Sequence, residues 1–167
     1  MAARRLSKRS NDLAARIRGT ELSIRSPELL HRATLRIAYS NQIAEGLGPI
    51  TGGLLEFADT SYFLLDHDQR NTASAVCSVR LPRQYWATSA ILYGSGFLDG
   101  DGPGHLPPHT SVDLGIGKSF GERWSISLNS TNLLNRRFML DNSNTFGGTH
   151  FANPRQIYGE MRYRFRL

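Results

Sequence analysis

The sequence has a single cysteine and lacks long apolar runs. Because Cys77 has no second thiol to pair with, an intrachain disulfide and a cysteine-rich metal site are both excluded. No run approaches the roughly 18 apolar residues that mark a transmembrane helix. Residues 1–30 also have no uninterrupted apolar core of the kind found in a secretory signal peptide. The sequence therefore gives no sign of a helical membrane anchor.

Composition places the chain among folded proteins. Its 167 residues are 40% hydrophobic and 20% charged, which suits one ordinary domain and excludes a disordered tail. The net charge of +6 and the pI near 10 would ordinarily indicate nucleic acid or an anionic membrane as a partner. The middle of the chain is close to neutral, however, because the basic excess lies at the two ends: Arg4, Arg5, Lys8, Arg9, Arg16, Arg18, Arg155, Arg162, Arg164 and Arg166.

The last eleven residues alternate between two kinds of side chain. One face carries Ile157, Gly159, Met161, Tyr163, Phe165 and Leu167, and the other carries Tyr158, Glu160, Arg162, Arg164 and Arg166. Side chains alternate across a strand with a period of two, so one face suits hydrocarbon and the other suits water. This indicates a strand of a membrane barrel. An amphipathic edge strand of a soluble sandwich would show the same pattern.

Alternation elsewhere predicts six further strands. The seven strands are predicted at 19–26, 32–41, 71–81, 85–94, 110–120, 123–132 and 155–167. In two of them, the apolar positions oppose glycine, serine, asparagine or aspartate, which are small and polar rather than core-like. We therefore predict that the apolar positions face lipid: Leu114, Ile116, Ile126 and Leu128, together with Tyr163 and Phe165 in the last strand.

The predicted connections alternate between short and long. Short turns fall at 27–31, 82–84 and 121–122, and long loops fall at 42–70, 95–109 and 133–154. This sidedness is typical of an outer-membrane barrel with tight periplasmic turns and long external loops. Long unstructured connections count against a compact soluble domain. Aromatic residues are also predicted to lie at the turn end, as in a girdle at one membrane interface: Trp86, Phe120, Trp124, Tyr163 and Phe165.

The strand count indicates an incomplete barrel. Seven is odd, whereas bacterial single-chain barrels have even numbers of at least about eight strands, and an open sheet would leave unsatisfied edges in lipid. Residues 1–18 lack alternation and are expected to form a basic segment that is disordered or marks a misplaced start. The predicted fold class is an all-β, antiparallel, up-and-down membrane β-barrel segment over residues 19–167. It would supply about the last third of a larger barrel.

Several segments, in this order, carry a resemblance to a known family. They are RGTELSIRSP, FLLDHDQRNT, ILYGSGF, LPPHTSVDLGIGKSFGERWSISLNSTNLLNRRF, DNSNTFGGTHFANPRQIYG and the terminal RYRF. From about Gly19 to Phe165, the chain resembles the C-terminal barrel portion of TonB-dependent outer-membrane receptors, in particular those with a carboxypeptidase-like regulatory domain at the N-terminus. The penultimate-strand motif of that family matches Asn129, Asn132, Leu133, Leu134, Asn135, Arg136 and Arg137. The start of its last strand matches Pro154, Arg155 and Gln156.

The resemblance implies a 22-stranded barrel plugged by an N-terminal domain, which imports a scarce ligand with energy passed from TonB. We expect the chain to be a C-terminal fragment that does not transport alone, in the outer membrane of a Gram-negative-type bacterium. Implied partners are outer-membrane lipid, the barrel-assembly machinery and, only through upstream regions, TonB; no cofactor or nucleic acid is implied. The assembly signal would comprise Gln156, Tyr158, Gly159, Tyr163 and Phe165. The residues that bind the ligand are left open.

Other candidate chemistry is weak. His105 and His109 share a loop with Asp99 and Asp101, but these residues do not meet a calcium-loop spacing, and glycine, proline and aspartate are ordinary turn formers. A second group is predicted to be a cluster of ion pairs at the rim: Asp66, His67, Asp68 and Arg70. We predict neither a metal site nor a catalytic site, so the protein is not expected to be an enzyme.

Two alternatives remain open. A soluble basic β-domain could bind nucleic acid through phosphate contacts from its terminal arginines, although Tyr163 and Phe165 would point away from Arg162 and Arg164. A small self-contained eight-stranded outer-membrane barrel would need a further strand and a signal within residues 1–18.

Overall fold

The protein is an antiparallel β-structure. The computed structural model describes residues 14–50, 57–65, 67–100, 102–142 and 148–165. The strands are β1 (Ala14–Arg25), β2 (Ala33–Ile50), β3 (Phe57–Leu64), β4 (Asn71–Arg80), β5 (Tyr85–Gly94), β6 (His109–Phe120), β7 (Trp124–Thr131), β8 (Met139–Asp141), β9 (His150–Phe151) and β10 (Gln156–Tyr163). A 3-10 turn, Pro82–Gln84, joins β4 to β5. No helix in the described part of the chain is long and apolar enough to span a membrane.

Seven strands form one open sheet in the order β1-β2-β4-β5-β6-β7-β10, which is an up-and-down arrangement. β3 pairs with the far end of β2, and β8 and β9 form a separate small hairpin. Within the described ranges, β1 and β10 are the two edges of the sheet, and it does not close on itself. The prediction of an all-β, antiparallel, incomplete barrel with about seven strands is therefore confirmed.

The register places apolar side chains in continuous rows. Ile116 pairs with Leu128 and Ala87, and Met161 pairs with Ile126. Because side chains alternate across each strand, these rows lie on one side of the sheet. We call this side the apolar face: Leu22, Ile24, Leu35, Ile37, Tyr39, Ala73, Ala75, Cys77, Val79, Tyr85, Ala87, Ser89, Ile91, Tyr93, Val112, Leu114, Ile116, Lys118, Phe120, Trp124, Ile126, Leu128, Ile157, Gly159, Met161 and Tyr163. The opposite side, the polar face, is rich in serine, threonine, asparagine and charged residues.

The apolar face is exposed rather than packed against a second layer. Ile126 is 51% exposed and Met161 is 68% exposed. Among the described residues, the buried hydrophobic side chains are Leu98 and Leu106, and both lie in the connection between β5 and β6. A contiguous exposed apolar surface of this extent is unusual for a soluble monomer, because burial of such surface is the main force that stabilises a fold.

Two predicted boundaries, those of β2 and β1, were incomplete. β2 continues nine residues past Asn41. In this extension, β2 still pairs with β1 along one edge, and from Glu45 it pairs with β3 in place of β4 along the other. The predicted loop 42–70 therefore contains strand structure. β1 begins at Ala14, five residues before the predicted start, because residues 14–18 pair with this extension of β2. The short turns at the opposite end lie where the sequence predicts them.

The predicted place of Trp86 in the aromatic girdle is wrong. Trp86 pairs with Gly117 and lies on the polar face, and its ring covers that glycine. Side chains alternate between the two faces along β5, and Tyr85 and Ala87 lie on the apolar face. Tyr85 therefore occupies the position at the turn end of the apolar face. Three of the other predicted girdle residues lie together, since the tilted rings of Trp124 and Tyr163 have centroids 4.5 Å apart, and Tyr163 meets Phe165 at 4.7 Å. Their place at a membrane interface stays a prediction.

Candidate functional site

The long connections converge at one end of the sheet, and most buried side chains lie there. The connection between β5 and β6 folds back as a narrow hairpin, in which Leu98 bridges to His105. Ser95 N–H donates to the carbonyl of Asn71, and Leu98 N–H donates to that of Asp68. This hairpin is thereby fixed to the segment that precedes β4. We call the resulting group the loop-end cluster: Asp68, Gln69, Phe97, Leu98, His105, Leu106, His109 and Phe138.

Asp68 anchors the loop-end cluster. Its side chain is fully buried, and its Oδ1 accepts a hydrogen bond of 2.9 Å from the backbone N–H of Ala44 in β2. Its Oδ2 lies 3.3 Å from Nε2 of His105. A buried carboxylate is costly unless it is paired and hydrogen-bonded, so these contacts hold the three chain segments together. The predicted cluster of Asp66, His67, Asp68 and Arg70 did not include His105, which is the ion-pair partner that the structure gives to Asp68, and Asp66 lies outside the described residues.

Aromatic rings form the second part of the loop-end cluster. The imidazole of His109 is stacked between two phenyl rings, with centroid distances of 4.0 Å to Phe138 and 5.4 Å to Phe97. His67 meets the edge of Phe97 at 6.1 Å. Burial lowers the pKa of His109 below its ordinary value, because the stacked position removes water from the charged form. The ring is therefore neutral at pH 7 and presents one donor and one acceptor nitrogen.

An open hollow of about 800 Å³ lies on the polar face beside these rings. Gln69, Phe97, His109, Phe138 and Leu140 contribute to its lining. Two polar atoms here, Nε2 of Gln69 and Nδ1 of His109, are buried without a hydrogen-bond partner in the described part of the structure. Both side chains pack over Gly94, where a β-carbon would collide with them. The hollow therefore combines aromatic surface with the polar side chains of Gln69 and His109.

Asn132 fixes the connection that carries Phe138. Its side-chain Nδ2 donates to the carbonyls of Arg136 and Asn153, at 2.9 and 3.0 Å, and its Oδ1 accepts from the N–H of Arg136. Asn135 Oδ1 in turn accepts from the N–H of Arg155. Asn132 and Asn135 have positive φ, which asparagine tolerates better than most residues. Four of the residues in these hydrogen bonds belong to the sequence motifs noted above: Asn132, Asn135, Arg136 and Arg155. The motifs therefore have a structural role in tying the end of β7 to the start of β10.

A charged group lies farther out on the extended part of β1 and β2. Arg16 Nε donates to Glu45 at 2.7 Å, Arg18 donates to the same carboxylate at 3.2 Å, and the Arg16 guanidinium lies 3.6 Å from the ring centroid of Tyr62. The hydrogen bond from Arg16 lowers the pKa of Glu45 below its ordinary value. This bidentate pair braces β1 against β2 beyond the seven-stranded part of the sheet.

The residues predicted to face lipid all lie on the apolar face. Leu114, Ile116, Ile126 and Leu128 are each about half exposed and adjoin one another across β6 and β7. The predicted assembly-signal residues Gln156, Tyr158, Gly159 and Tyr163 lie in β10, at the edge of the sheet, and Phe165 follows it with 78% of its surface exposed. Their roles in lipid contact and assembly stay predictions.

The candidate metal residues are not brought together. His105 pairs with Asp68, whereas His109 is stacked between phenyl rings, and Asp101 lies outside the described residues. No group of three or more potential metal ligands occurs in the part of the chain that the structure describes. Sequence reasoning also missed Gln69, Phe97 and Phe138 as neighbours of His109. They come from three separate connections and carry no shared motif, so only the folded structure reveals the group.

Comparisons with known proteins found a similar solved structure but no matching family profile or curated sequence. Among solved structures, the fold is similar to that of the ferric-catecholate import receptor Fiu from E. coli K12 in its open form, with a TM-score of 0.55 and 12% sequence identity. The match covers 90% of this chain and 26% of the receptor chain, so this chain spans about a quarter of that protein. The fold therefore resembles one part of an import receptor.

Proposed function

We propose that this chain is the C-terminal barrel segment of a TonB-dependent outer-membrane receptor. One observation carries the proposal: the sheet has an exposed apolar face, a polar face, short turns at one end and long connections at the other. A bilayer provides the apolar surroundings that such a face needs, and loops and turns segregate in this way in outer-membrane barrels. The likeness of the fold to part of an import receptor supports the same assignment.

In the intact receptor, the polar face would line the barrel interior, and the long connections would lie outside the cell. The loop-end cluster would then stand at the mouth of the barrel, where it would contribute to capture of a scarce ligand. Gln69 and His109 would give the site its polar side chains, and Phe97 and Phe138 would offer aromatic surface. The solved relative imports a ferric catecholate, but a likeness of fold at 12% identity does not select that ligand for this protein.

The first partners we propose are lipid and the barrel-assembly machinery. The edge strand β10 would carry the assembly signal through Gln156, Tyr158, Gly159, Tyr163 and Phe165, and it would close the barrel against a strand upstream of this chain. Energy from TonB would reach the receptor through its upstream regions. The carboxypeptidase-like regulatory type of receptor is the finer assignment that the sequence motifs favour.

Phe165 provides the test. In the complete receptor, Phe165→Asp should block assembly, because it replaces an exposed apolar ring beside Tyr163 with a carboxylate at the proposed membrane interface. The measurement is the heat-modifiable band that a folded barrel gives on electrophoresis of outer-membrane fractions. Phe165→Tyr keeps the aromatic ring and should assemble normally. A normal folded band from Phe165→Asp would contradict the assignment.

A further inference from the structure

The apolar face contains one charged side chain. Between the row of Tyr39 and Tyr93 at the loop end and the row of Phe120 and Trp124 at the turn end, every described position of this face is uncharged except Lys118. An isolated ammonium in such a surface costs free energy unless an anion or a polar phase meets it. The ammonium of Lys118 is therefore stabilised where an anion or a polar phase lies within its reach.

The surroundings of Lys118 show which partner would fit. Its Nζ donates to the hydroxyl of Tyr85 at 3.4 Å and lies 4.7 Å from the ring centroid of Tyr85 and 5.2 Å from that of Phe120. None of the ion pairs among the described residues involves Lys118. An ammonium has three donors, and Tyr85 accepts from one of them, so two remain for an anionic acceptor.

The aromatic residues around Lys118 select an amphipathic anion. Lys118 lies two residues before Phe120, which is roughly 7 Å along the strand from the turn end, and a lysine stem can extend about that far toward water. Tyr85, Phe120 and Trp124 are all partly exposed on the same side of the sheet. A partner that fits must place acyl chains over the apolar rows and a negative group at the level of these rings.

We propose that Lys118, together with the Tyr85 hydroxyl, binds the phosphate of an anionic glycerophospholipid in the leaflet at the turn end. This inference rests on the proposed function, because the sheet must lie in a bilayer for such a lipid to reach it. A headgroup with its own ammonium, such as phosphatidylethanolamine, would compete less well, since that ammonium already neutralises the phosphate. The lipid would therefore be of the phosphatidylglycerol or cardiolipin type.

The test uses the complete protein in its own membrane. Benzoylphenylalanine in place of Phe120 keeps an aromatic ring beside Lys118 and cross-links to neighbouring C–H bonds on irradiation of cells. Mass spectrometry then identifies the lipids that are attached at position 120. We expect the anionic share of the lipid adducts to fall about two- to fivefold in Lys118→Met, as expected for loss of one basic contact at a membrane surface. Lys118→Arg, which keeps the charge, should restore it.

Arg83→Met is the matched control. It removes one positive charge from the turn Pro82–Gln84 at the same end of the sheet, outside the apolar face. The anionic share should stay unchanged in this variant. An equal fall in Arg83→Met would mean that the overall charge of the turn end attracts the lipid, and this would overturn the Lys118 site.

The remaining outcomes separate the two proposals. Lipid adducts of the same composition with Met or Lys at position 118 would overturn the headgroup site and leave the membrane assignment intact. Adducts to protein alone, without lipid in any variant, would overturn both. Adducts to lipid A phosphates instead of glycerophospholipids would place the turn end in the outer leaflet and overturn both the occupant and the leaflet proposed here.

Discussion

A charge placed on the apolar face should destabilise the protein far more than the same charge on the polar face. The comparison is best made with two adjacent residues of β7. Leu128 lies on the apolar face, pairs with Ile116 and Gly159, and is about half exposed. Ser127 lies on the polar face, where its strand partners are Gly117 and Glu160. Leu128→Arg and Ser127→Arg therefore introduce the same side chain at the same height on opposite sides of one strand.

The free-energy cost of Leu128→Arg follows from the depth of this residue in the proposed apolar band. Leu128 is four residues from Trp124, so at about 3.3 Å per residue and a strand tilt near 45° it lies about 9 Å above the aromatic girdle. The apolar band of an outer-membrane barrel is about 25 Å tall, which places Leu128 slightly on the turn side of the midplane. Arginine at the midplane costs about 2–4 kcal/mol, and less toward the interface. We expect about 2–3 kcal/mol here, a roughly 30- to 150-fold change in the unfolding equilibrium.

The assay is reversible unfolding of the complete protein in lipid vesicles by denaturant, with the free energy extrapolated to zero denaturant. Ser127→Arg should change the free energy of unfolding by no more than about 0.5 kcal/mol, as is usual for a surface substitution. A cost for Ser127→Arg that equals or exceeds the cost for Leu128→Arg would refute the assignment of the two faces. Equal small costs would show that neither face lies in lipid.

Two further predictions concern the loop end. Arg16→Met should raise the pKa of Glu45 toward its ordinary value, as followed by NMR titration, because the hydrogen bond from Arg16 is the main cause of the lowered pKa. The stability that this pair provides is present above the ordinary pKa of a glutamate and is lost as the pH falls through the lower pKa of the folded state. In Arg16→Met, the free energy of unfolding should therefore fall less between these two pH values. An unchanged titration of Glu45 would contradict the pairing. Asp68→Ala should speed proteolysis in residues 95–108 about 5- to 150-fold, because His105 in this connection loses its contact with Asp68 and the N–H of Ala44 loses a buried acceptor, at a cost of about 1–3 kcal/mol. Asp68→Asn keeps an acceptor oxygen and should have a smaller effect, and equal proteolysis of all three proteins would contradict an anchoring role.

The seven strands of the main sheet could be predicted because apolar residues alternate with small or polar residues in most of them. The part of β2 beyond Asn41 could not be predicted, because it contains Gly46 and Gly48 and the register of its pairing with β3 shifts between these two residues. A shift of this kind interrupts alternation. β8 and β9 have only three and two residues, too few for any periodic pattern to appear in the sequence.

The loop-end cluster was less accessible to prediction for a different reason. Its contacts join residues that are far apart in sequence, such as His105 with Asp68 and Phe138 with His109. Spacing within a loop does not encode such contacts. Their spacing of four residues led us to group His105 with His109. In the folded hairpin, however, the two side chains contact different residues. The motif residue Asn132 could be recognised from the sequence, yet its role as a hydrogen-bond hub became visible only with the carbonyls of Arg136 and Asn153 in place.

The energetics of the two sheet edges limit how this fold can exist in a membrane. β10 pairs with β7 on one side only, and within the described residues its other side has no strand partner. Each unsatisfied backbone group in hydrocarbon costs several kcal/mol, so an eight-residue edge would cost more than the roughly 5–15 kcal/mol that stabilises a typical domain. The same argument applies to β1. In a bilayer, both edges therefore need partner strands, and the apolar face alone cannot stabilise the sheet there. A closed barrel supplies such partner strands, and this is the arrangement that the proposed function describes.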